Sequence, residues 1–359
     1  MKGFFNPKNE RLHYLMLVLV VIIASVFSWG ATYGDSASYL KTANYLFGYE
    51  GGVRLEHRMI RPVTLFMAGA MAPAFGLINS FAIVNIIFGI LTSVVIYKLV
   101  MRMYKKPKLA FYAALLFATS IPVLSLGASV LTEMPAYFAT VMVIYIVYQM
   151  KKEMTYKDMI IAALLLSFSM LIRETSMFIL PIFFLLSRYG ERKILLKGGA
   201  IIILAFAFTS VYYFAYNVNP LNYTLNSGNM GMSYNNPEKY GVERIILSFM
   251  AFEFLPIFAF LGFVADSDRK RLIAYYAMFV SFLPVFLWPV QEWKITYTVF
   301  PLIMALSVFG IDHFSQRLSE KPLFSRLGSR WYEFLIILMY VIIGVIYCAL
   351  VMPQYIITV

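Results

Sequence analysis

One carboxylate stands out because of its place in the chain. Asp35 directly follows the first long apolar stretch, residues 12–32, and precedes a segment, 36–47, in which apolar residues recur at helical spacing. An amphipathic helix of this kind lies in the lipid interface, so we expect Asp35 beside the lipid headgroups. An acid at that depth could serve as a general base between a lipid-borne reactant and one in water. Asp is also a favoured N-cap residue, and the two interpretations are compatible.

Other charged residues lie near the ends of later apolar stretches. Ionisable groups close to lipid are costly and are often functional, and a shared level for several of them is typical of one common site. The alternative for each residue is that positions at a lipid interface are commonly charged. The charged residues predicted at the level of Asp35 are Glu133, Arg173, Glu174, Glu292 and Lys294, whereas Glu253 is predicted to lie deeper and to need a partner or a wet cavity.

The basic residues on this side have a specific chemical use. A lipid phosphate or diphosphate at the membrane surface needs arginine or lysine near the headgroup plane, and arginine suits it through its fork of donors. The candidates for binding a lipid phosphate are Arg58, Arg61, Arg173 and Lys294. His57 could join them, although a histidine in a loop is often a bystander.

The composition indicates what positions these residues. The chain has 359 residues, of which 61% are hydrophobic and 13% are charged, against about 25% charged in globular domains. We therefore predict an all-α polytopic membrane protein forming a single domain, 1–359. The predicted spans are about eleven in number, at 12–32, 79–100, 109–127, 132–149, 159–172, 175–188, 198–217, 245–264, 272–288, 295–312 and 332–352.

The net charge of +12 is explained by the predicted topology. With a cytoplasmic N-terminus, 22 of the 30 basic residues fall in inner segments, as the positive-inside rule requires, and no nucleic-acid partner is implied. The apolar segment 62–75 is short for a span, and a crossing there would place most basic residues outside. We expect it to form a second interfacial or re-entrant helix, with Pro62 in its first turn.

Two sizeable loops are predicted on the outer face, where the C-terminus also lies. The first, 33–78, holds Asp35 and both juxtamembrane helices; the second, 218–244, is rich in Asn, Gly, Tyr and Pro. Its side chains could bind a polar ligand, or it could be a plain connector. Three separated histidines and a lone Cys348 make a zinc site unexpected, and we predict neither a metal nor a cofactor.

Several short motifs together resemble a known superfamily. They are Asp-Ser-x-x-Tyr-Leu at 35–40, Arg61-Pro62, Thr-Glu-Met-Pro at 132–135, Arg-Glu-Thr at 173–175 and Lys-Ile-Thr-Tyr-Thr-Val-Phe-Pro at 294–301. Their order resembles the GT-C superfamily of integral membrane glycosyltransferases, which includes protein O-mannosyltransferases and lipid A aminoarabinose transferases. The resemblance implies a GT-C-like fold and a transferase that takes sugar from a polyprenyl-phosphate carrier on the non-cytoplasmic face.

The resemblance also implies roles for individual residues. The acid of the first loop, Asp35, corresponds to the catalytic residue, and Arg61-Pro62 to the acceptor side. Lys294 and Tyr297 stand where relatives often have an Arg-Tyr pair, at looser spacing. Ser36 replaces the second acid of many relatives, so a paired-carboxylate or metal-binding form is not expected. The candidate substrate-binding residues are Tyr39, His57, Glu133, Glu174, Glu292 and Tyr297.

The functional hypothesis is an inverting membrane glycosyltransferase with Asp35 as general base. Its partners would be a polyprenyl-phosphate sugar, a glycan, lipid or protein acceptor, and membrane lipids. One alternative is a polymerase or ligase that uses a diphosphate-linked glycan. The other is a transporter or flippase, a class that usually places ionisable residues near the bilayer midplane.

Overall fold

A computed structural model describes most of the chain. The described residues are 5, 9–149, 155–173, 176, 179–180, 192–220, 252–268, 271–276, 279–280, 300–322, 324–325 and 327–350. All regular secondary structure within these ranges is helical. The labelled helices are α1 (Glu10–Val26), α2 (Ser36–Phe47), α3 (Glu56–Met59), α4 (Pro62–Phe75), α5 (Leu77–Tyr104), α6 (Pro107–Ala118), α7 (Ile121–Leu126), α8 (Glu133–Gln149), α9 (Tyr156–Ile172), α10 (Arg192–Ala215), α11 (Leu255–Ala265), α12 (Phe300–Ser319) and α13 (Ser329–Leu350).

The prediction of an all-α membrane protein is confirmed. Within the described residues, four stretches are long and apolar enough to cross a membrane: Glu10–Ser28, Leu77–Tyr104, Leu196–Ala215 and Ser329–Leu350. The number of eleven spans stays a prediction, because most of segment 175–188 and most of 272–288 lie outside the described residues.

Two predicted spans differ from the observed helices. The stretch 109–127 divides into α6 and α7 at Thr119 and Ser120, and Pro122 lies in the first turn of α7, where a missing N–H does no harm. In the stretch 245–264, the described helix begins only at Leu255, after a turn in which Glu253 has a φ of +52°. Hydropathy carries no information on backbone dihedral angles. An apolar stretch therefore does not reveal the interruption at Thr119 and Ser120 or the late helix start at Leu255.

The two helices of the first loop match their predicted bounds. The apolar face of α2 buries Tyr39 and Ala43, and α2 ends at Gly48, whose φ of +69° is easy for glycine. Helix α4 begins at Pro62 and, with 14 residues, is roughly 21 Å long, less than the ~30 Å of bilayer hydrocarbon. It packs on α2 at Gly69, where a β-carbon would approach the Phe47 ring to 2.2 Å.

Helix α5 extends from one end of the helix bundle to the other. It has 28 residues, a length of roughly 42 Å, and packs against α1, α4, α6 and α8. Its first turn follows α4 and contains Asn79, which accepts from Trp29 Nε1 six residues before Asp35, and its last turn leads to Lys106 and Lys108. We call these the Asp35 end and the Asp312 end of the bundle.

The Asp312 end is held by two ion-pair clusters. Lys108 Nζ lies 2.7 Å from Asp312 Oδ1 and 2.8 Å from Glu333 Oε1, which joins the start of α6 to α12 and α13. Nearby, Arg271 donates from Nε and Nη2 to the two oxygens of Asp266, each at 2.7 Å, and Tyr275 also donates to Asp266. The first cluster joins helices that are distant in the sequence, whereas the second is local and reaches α5 through the bond from Arg271 Nη1 to the Met103 carbonyl at 3.3 Å.

Candidate active site

Asp35 forms an ion pair at the start of α2. Its Oδ1 lies 2.7 Å from Arg58 Nη2, and its side chain makes no capping hydrogen bond to the helix. The Asp35 side chain is 42% exposed, whereas that of Arg58 is 7% exposed. The pair therefore presents a carboxylate at the surface with its cation behind it.

The segment before Asp35 is fixed by hydrogen bonds to residues 125–130. The Gly30 amide donates to the Ala128 carbonyl at 2.9 Å, and the Val130 amide donates to Ala31 at 3.0 Å. Ser36 Oγ then donates to the Val130 carbonyl at 3.1 Å. These bonds hold the start of α2 against the chain that leads into α8.

Tyr39 connects the arginines of the first loop. The Arg58 guanidinium lies 4.3 Å above its ring, and Arg61 Nη1 donates to its hydroxyl at 2.9 Å. Its Oη is also 3.3 Å from Thr132 Oγ1. Burial alone would raise the pKa of Tyr39, but the positive charges of Arg58, Arg61 and Arg173 outweigh burial and lower that pKa below its usual value.

Glu133 and Arg173 form a second, buried pair at the same end. Arg173 Nη1 donates to Glu133 Oε1 at 2.7 Å, and the Thr132 amide donates to Glu133 Oε2 at 2.8 Å. Glu133 opens α8, and Arg173 directly follows α9. Packing of these two helices therefore brings together residues that are 40 positions apart.

His57 lies on α3 next to these groups. Burial lowers its pKa, and the charges of Arg58 and Arg61 lower it further, against an opposing effect of Asp35. A histidine with a pKa below its usual ~6.5 is neutral at pH 7. His57 can therefore act there as both hydrogen-bond donor and acceptor.

The structure brings together seven of the predicted residues. Asp35, Tyr39, His57, Arg58 and Arg61 lie in the first loop, and the Glu133–Arg173 pair acts electrostatically on Tyr39. Four further candidates lie outside the described residues and stay predictions: Glu174, Glu292, Lys294 and Tyr297. Of the loop 218–244, only residues 218–220 are described.

Two contact residues were not among the predicted site residues. Ser38 Oγ accepts from Arg58 Nε at 2.7 Å, and Thr132 Oγ1 contacts the Tyr39 hydroxyl. Ser38 lies three residues after Asp35, a spacing that places the two side by side on a helix. That spacing could have indicated Ser38; nothing local to Thr132 indicates its contact with Tyr39.

Glu253 lies apart from this group. Among the described residues, neither of its carboxylate oxygens has a hydrogen-bond partner. Its Oε1 lies against Gly344 of α13, close to the Thr119 carbonyl and Leu124. The sequence predicted that this acid needs a partner or a wet cavity; no hydrogen-bond partner is found in the described part of the chain, and the wet cavity stays a prediction.

Comparison with known proteins adds family information. Residues 62–215, from the start of α4 to the end of α10, match the model of the dolichyl-phosphate-mannose-protein mannosyltransferase family. Asp35 precedes the matched range. No curated protein sequence matches the chain.

Solved structures show the same fold. The ArnT of Cupriavidus metallidurans bound to undecaprenyl phosphate matches with a TM-score of 0.60 and 12% identity, over 96% of this chain and 73% of ArnT. The same protein in the apo state matches with a TM-score of 0.59 and 11% identity, over 95% and 73% of the two chains.

The apo oligosaccharyltransferase of Archaeoglobus fulgidus matches with a TM-score of 0.57 and 12% identity. The match covers 94% of this chain but 55% of the oligosaccharyltransferase, so the chain spans about half of that enzyme's length. The family model thus matches residues 62–215 of the 359-residue chain, and the solved structures show that the chain has the same fold as ArnT and the oligosaccharyltransferase.

Proposed function

We propose that this membrane protein is a glycosyltransferase that moves a sugar from a polyprenyl-phosphate donor to an acceptor hydroxyl on the non-cytoplasmic face. The observation that carries the proposal is the exposed carboxylate of Asp35 set beside buried arginines. The class of donor is further supported by the similarly folded ArnT, whose structure holds undecaprenyl phosphate.

Asp35 acts as the general base. The acceptor oxygen attacks the anomeric carbon, its proton passes to an Asp35 oxygen, and the bond from carbon to the phosphate oxygen breaks. The departing polyprenyl phosphate takes the electron pair. One direct displacement inverts the anomeric configuration, and general-base assistance contributes about 10²–10⁴ in rate.

Arg61 and Arg173 stabilise the charge that develops on the leaving phosphate, together with Lys294. Both arginines are buried, and both act electrostatically on Tyr39, which indicates a common positive region. Fixed donors aimed at developing charge cost no reorganisation during the reaction. Tyr39 and His57, with Glu174, Glu292 and Tyr297, complete the substrate-binding set. Glu133, also a candidate from the sequence, is buried against Arg173 and is assigned to holding α8 against α9.

The test uses purified protein in lipid with a panel of polyprenyl-phosphate sugars. Release of polyprenyl phosphate is followed with and without membrane extract as a source of acceptor. The variants are Asp35→Asn and a matched control, Glu50→Gln, which neutralises an exposed acid of the same loop.

We expect one donor to be used by the wild type and by Glu50→Gln, with a loss of about 10²–10⁴ in Asp35→Asn. Near-normal turnover by Asp35→Asn would contradict the role as base. Activity only with diphosphate-linked oligosaccharides would replace the proposed donor by that of a polymerase or ligase.

A further inference from the structure

We propose that Arg58 is a positioning residue that holds the Asp35 carboxylate ionised and aimed at the acceptor, rather than a ligand of the lipid phosphate. This inference rests on the proposed function of Asp35 as the base. It assigns one of the four candidate phosphate-binding residues to a different task.

The guanidinium of Arg58 is enclosed by three neighbours on α2. Nη2 pairs with Asp35 at 2.7 Å, Nε donates to Ser38 Oγ at 2.7 Å, and the group lies 4.3 Å above the Tyr39 ring. Ser38 Oγ in turn donates to the Asp35 carbonyl at 2.6 Å. Asp35, Arg58 and Ser38 thus form a closed ring of contacts that fixes the direction of the carboxylate.

The order of burial argues against a phosphate on Arg58. With Arg58 at 7% exposure behind Asp35 at 42%, an approaching anion meets the carboxylate first. The negative charges of the Asp35 carboxylate and of a phosphate repel each other, so a phosphate that reached Arg58 would have to come close to an exposed anion. The charge of Arg58 is therefore directed to Asp35.

The segment that carries Arg58 is fixed from outside the site. Tyr212 Oη donates to the Met59 carbonyl at 2.8 Å, and Met59 and Ile60 pack against Val218. Arg54 Nη2 donates to the carbonyls of Tyr216 and Asn217, each at 2.9 Å. Helix α3 is thus docked on the end of α10, and the position of Arg58 does not depend on a substrate.

Such a pair has a predictable effect on a general base. A neighbouring cation favours the charged form of a carboxyl group, so the base stays ionised at lower pH. Without Arg58, a larger fraction of Asp35 would carry a proton before the acceptor binds. A phosphate ligand would instead govern how tightly the donor binds.

The experiment compares Arg58→Gln and Arg58→Lys with the wild type in the release assay across pH. Lys41→Gln is the matched control, since it removes an exposed cation from α2. For Arg58→Gln we expect kcat to fall about tenfold or more and the acid limb of the pH–rate profile to move up by about one pH unit, with donor KM within threefold of the wild type.

Lysine at position 58 keeps the positive charge but lacks the planar set of guanidinium donors. The acid limb of the pH–rate profile of Arg58→Lys should therefore lie near that of the wild type, while kcat recovers only in part. A donor KM raised tenfold with an unchanged pH profile would overturn the inference in favour of a phosphate ligand. An unchanged profile with unchanged KM would overturn it as well.

Should Arg58→Gln not fold, Ser38→Ala gives the same readout, because it removes the acceptor of Arg58 Nε. A smaller upward shift of the acid limb supports the inference, and no shift contradicts it.

Failure of this inference can be distinguished from failure of the proposed function. If Asp35→Asn is inactive and the pH–rate profiles of the Arg58 variants are unshifted, only the inference fails. Turnover by Asp35→Asn would remove both.

Discussion

The two ends of the bundle use the same kinds of charged residue in opposite arrangements. At the Asp312 end the acids lie inside: the side chains of Asp312 and Glu333 are 5% and 2% exposed, and their partner Lys108 is 24% exposed. At the Asp35 end the cation Arg58 lies inside and its acid faces outward. When the acid is buried, the ion pair holds helices together. When the cation is buried instead, the carboxylate remains available to a reactant.

The difference teaches which residues to assign to chemistry. An ion pair by itself is weak evidence for function, because buried pairs also join helices. Functional and structural ion pairs differ in which of the two side chains is exposed. By that criterion Glu133, whose side chain is 2% exposed, resembles the acids of the Asp312 end although it lies at the other end.

The largest effect that tests this contrast is expected for Asp312→Asn. It removes a buried carboxylate that pairs with Lys106 and Lys108. Because Lys108 keeps Glu333 and Lys106 is half exposed, the cost should lie at the lower end of that for breaking a buried ion pair, about 3 kcal/mol. We expect that loss in the free energy of unfolding in detergent micelles, with the kcat of the folded enzyme unchanged. Glu320→Gln, at an exposed acid one residue beyond α12, is the control. A reduced kcat with unaltered stability would contradict the structural role of the Asp312 end.

Glu133→Gln is expected to have the next largest effect. The amide keeps the size and one acceptor but cannot match the charge of Arg173, so stability should fall by about 1–3 kcal/mol. The KM values for donor and acceptor should stay within threefold of the wild type if Glu133 only holds α8 and α9 together. A tenfold increase in either KM would return Glu133 to the substrate-binding set.

Glu253 adds a third arrangement, an acid with neither a cation nor a hydrogen-bond partner among the described residues. Replacing it by methionine removes a buried, unsatisfied carboxyl at similar volume. We expect the free energy of unfolding to rise by about 1–2 kcal/mol in the same detergent assay. A decrease would show that the carboxyl makes a stabilising contact.

The smallest effect is expected for Arg54→Ala. Arg54 pairs with Glu56 at 2.5 Å, and both side chains are partly exposed, so that ion pair contributes little. The two bonds to the carbonyls of Tyr216 and Asn217, directly after α10, raise the expected loss of stability to about 1 kcal/mol. The unfolding midpoint of Arg54→Ala measured beside that of Lys41→Ala checks this. A loss as large as that for Asp312→Asn would mean that partial exposure does not weaken the contact.

The sequence indicated elements better than it indicated partners. The bounds of α2 and α4 follow from local signals, namely apolar spacing before Gly48 and Pro62 in a first turn. The pairing of Glu133 with Arg173 depends on how α8 packs on α9, which no local pattern encodes. The exposure of Asp35 relative to Arg58 likewise arises only when α3 docks on α10.

The contact between Gly69 and the Phe47 ring has a consequence for comparing homologues. Since a β-carbon at position 69 would overlap that ring, an alanine or larger residue there requires the Phe47 side chain to turn away or α2 and α4 to move apart. Asp35 precedes one of these helices and Arg61-Pro62 lies at the start of the other. The residues aligned with Phe47 and Gly69 are therefore best compared as a pair: homologues with an aromatic residue and a glycine can share this arrangement of acid and arginine, and those with a bulky residue at 69 need a smaller or differently placed side chain at 47, or a different helix spacing.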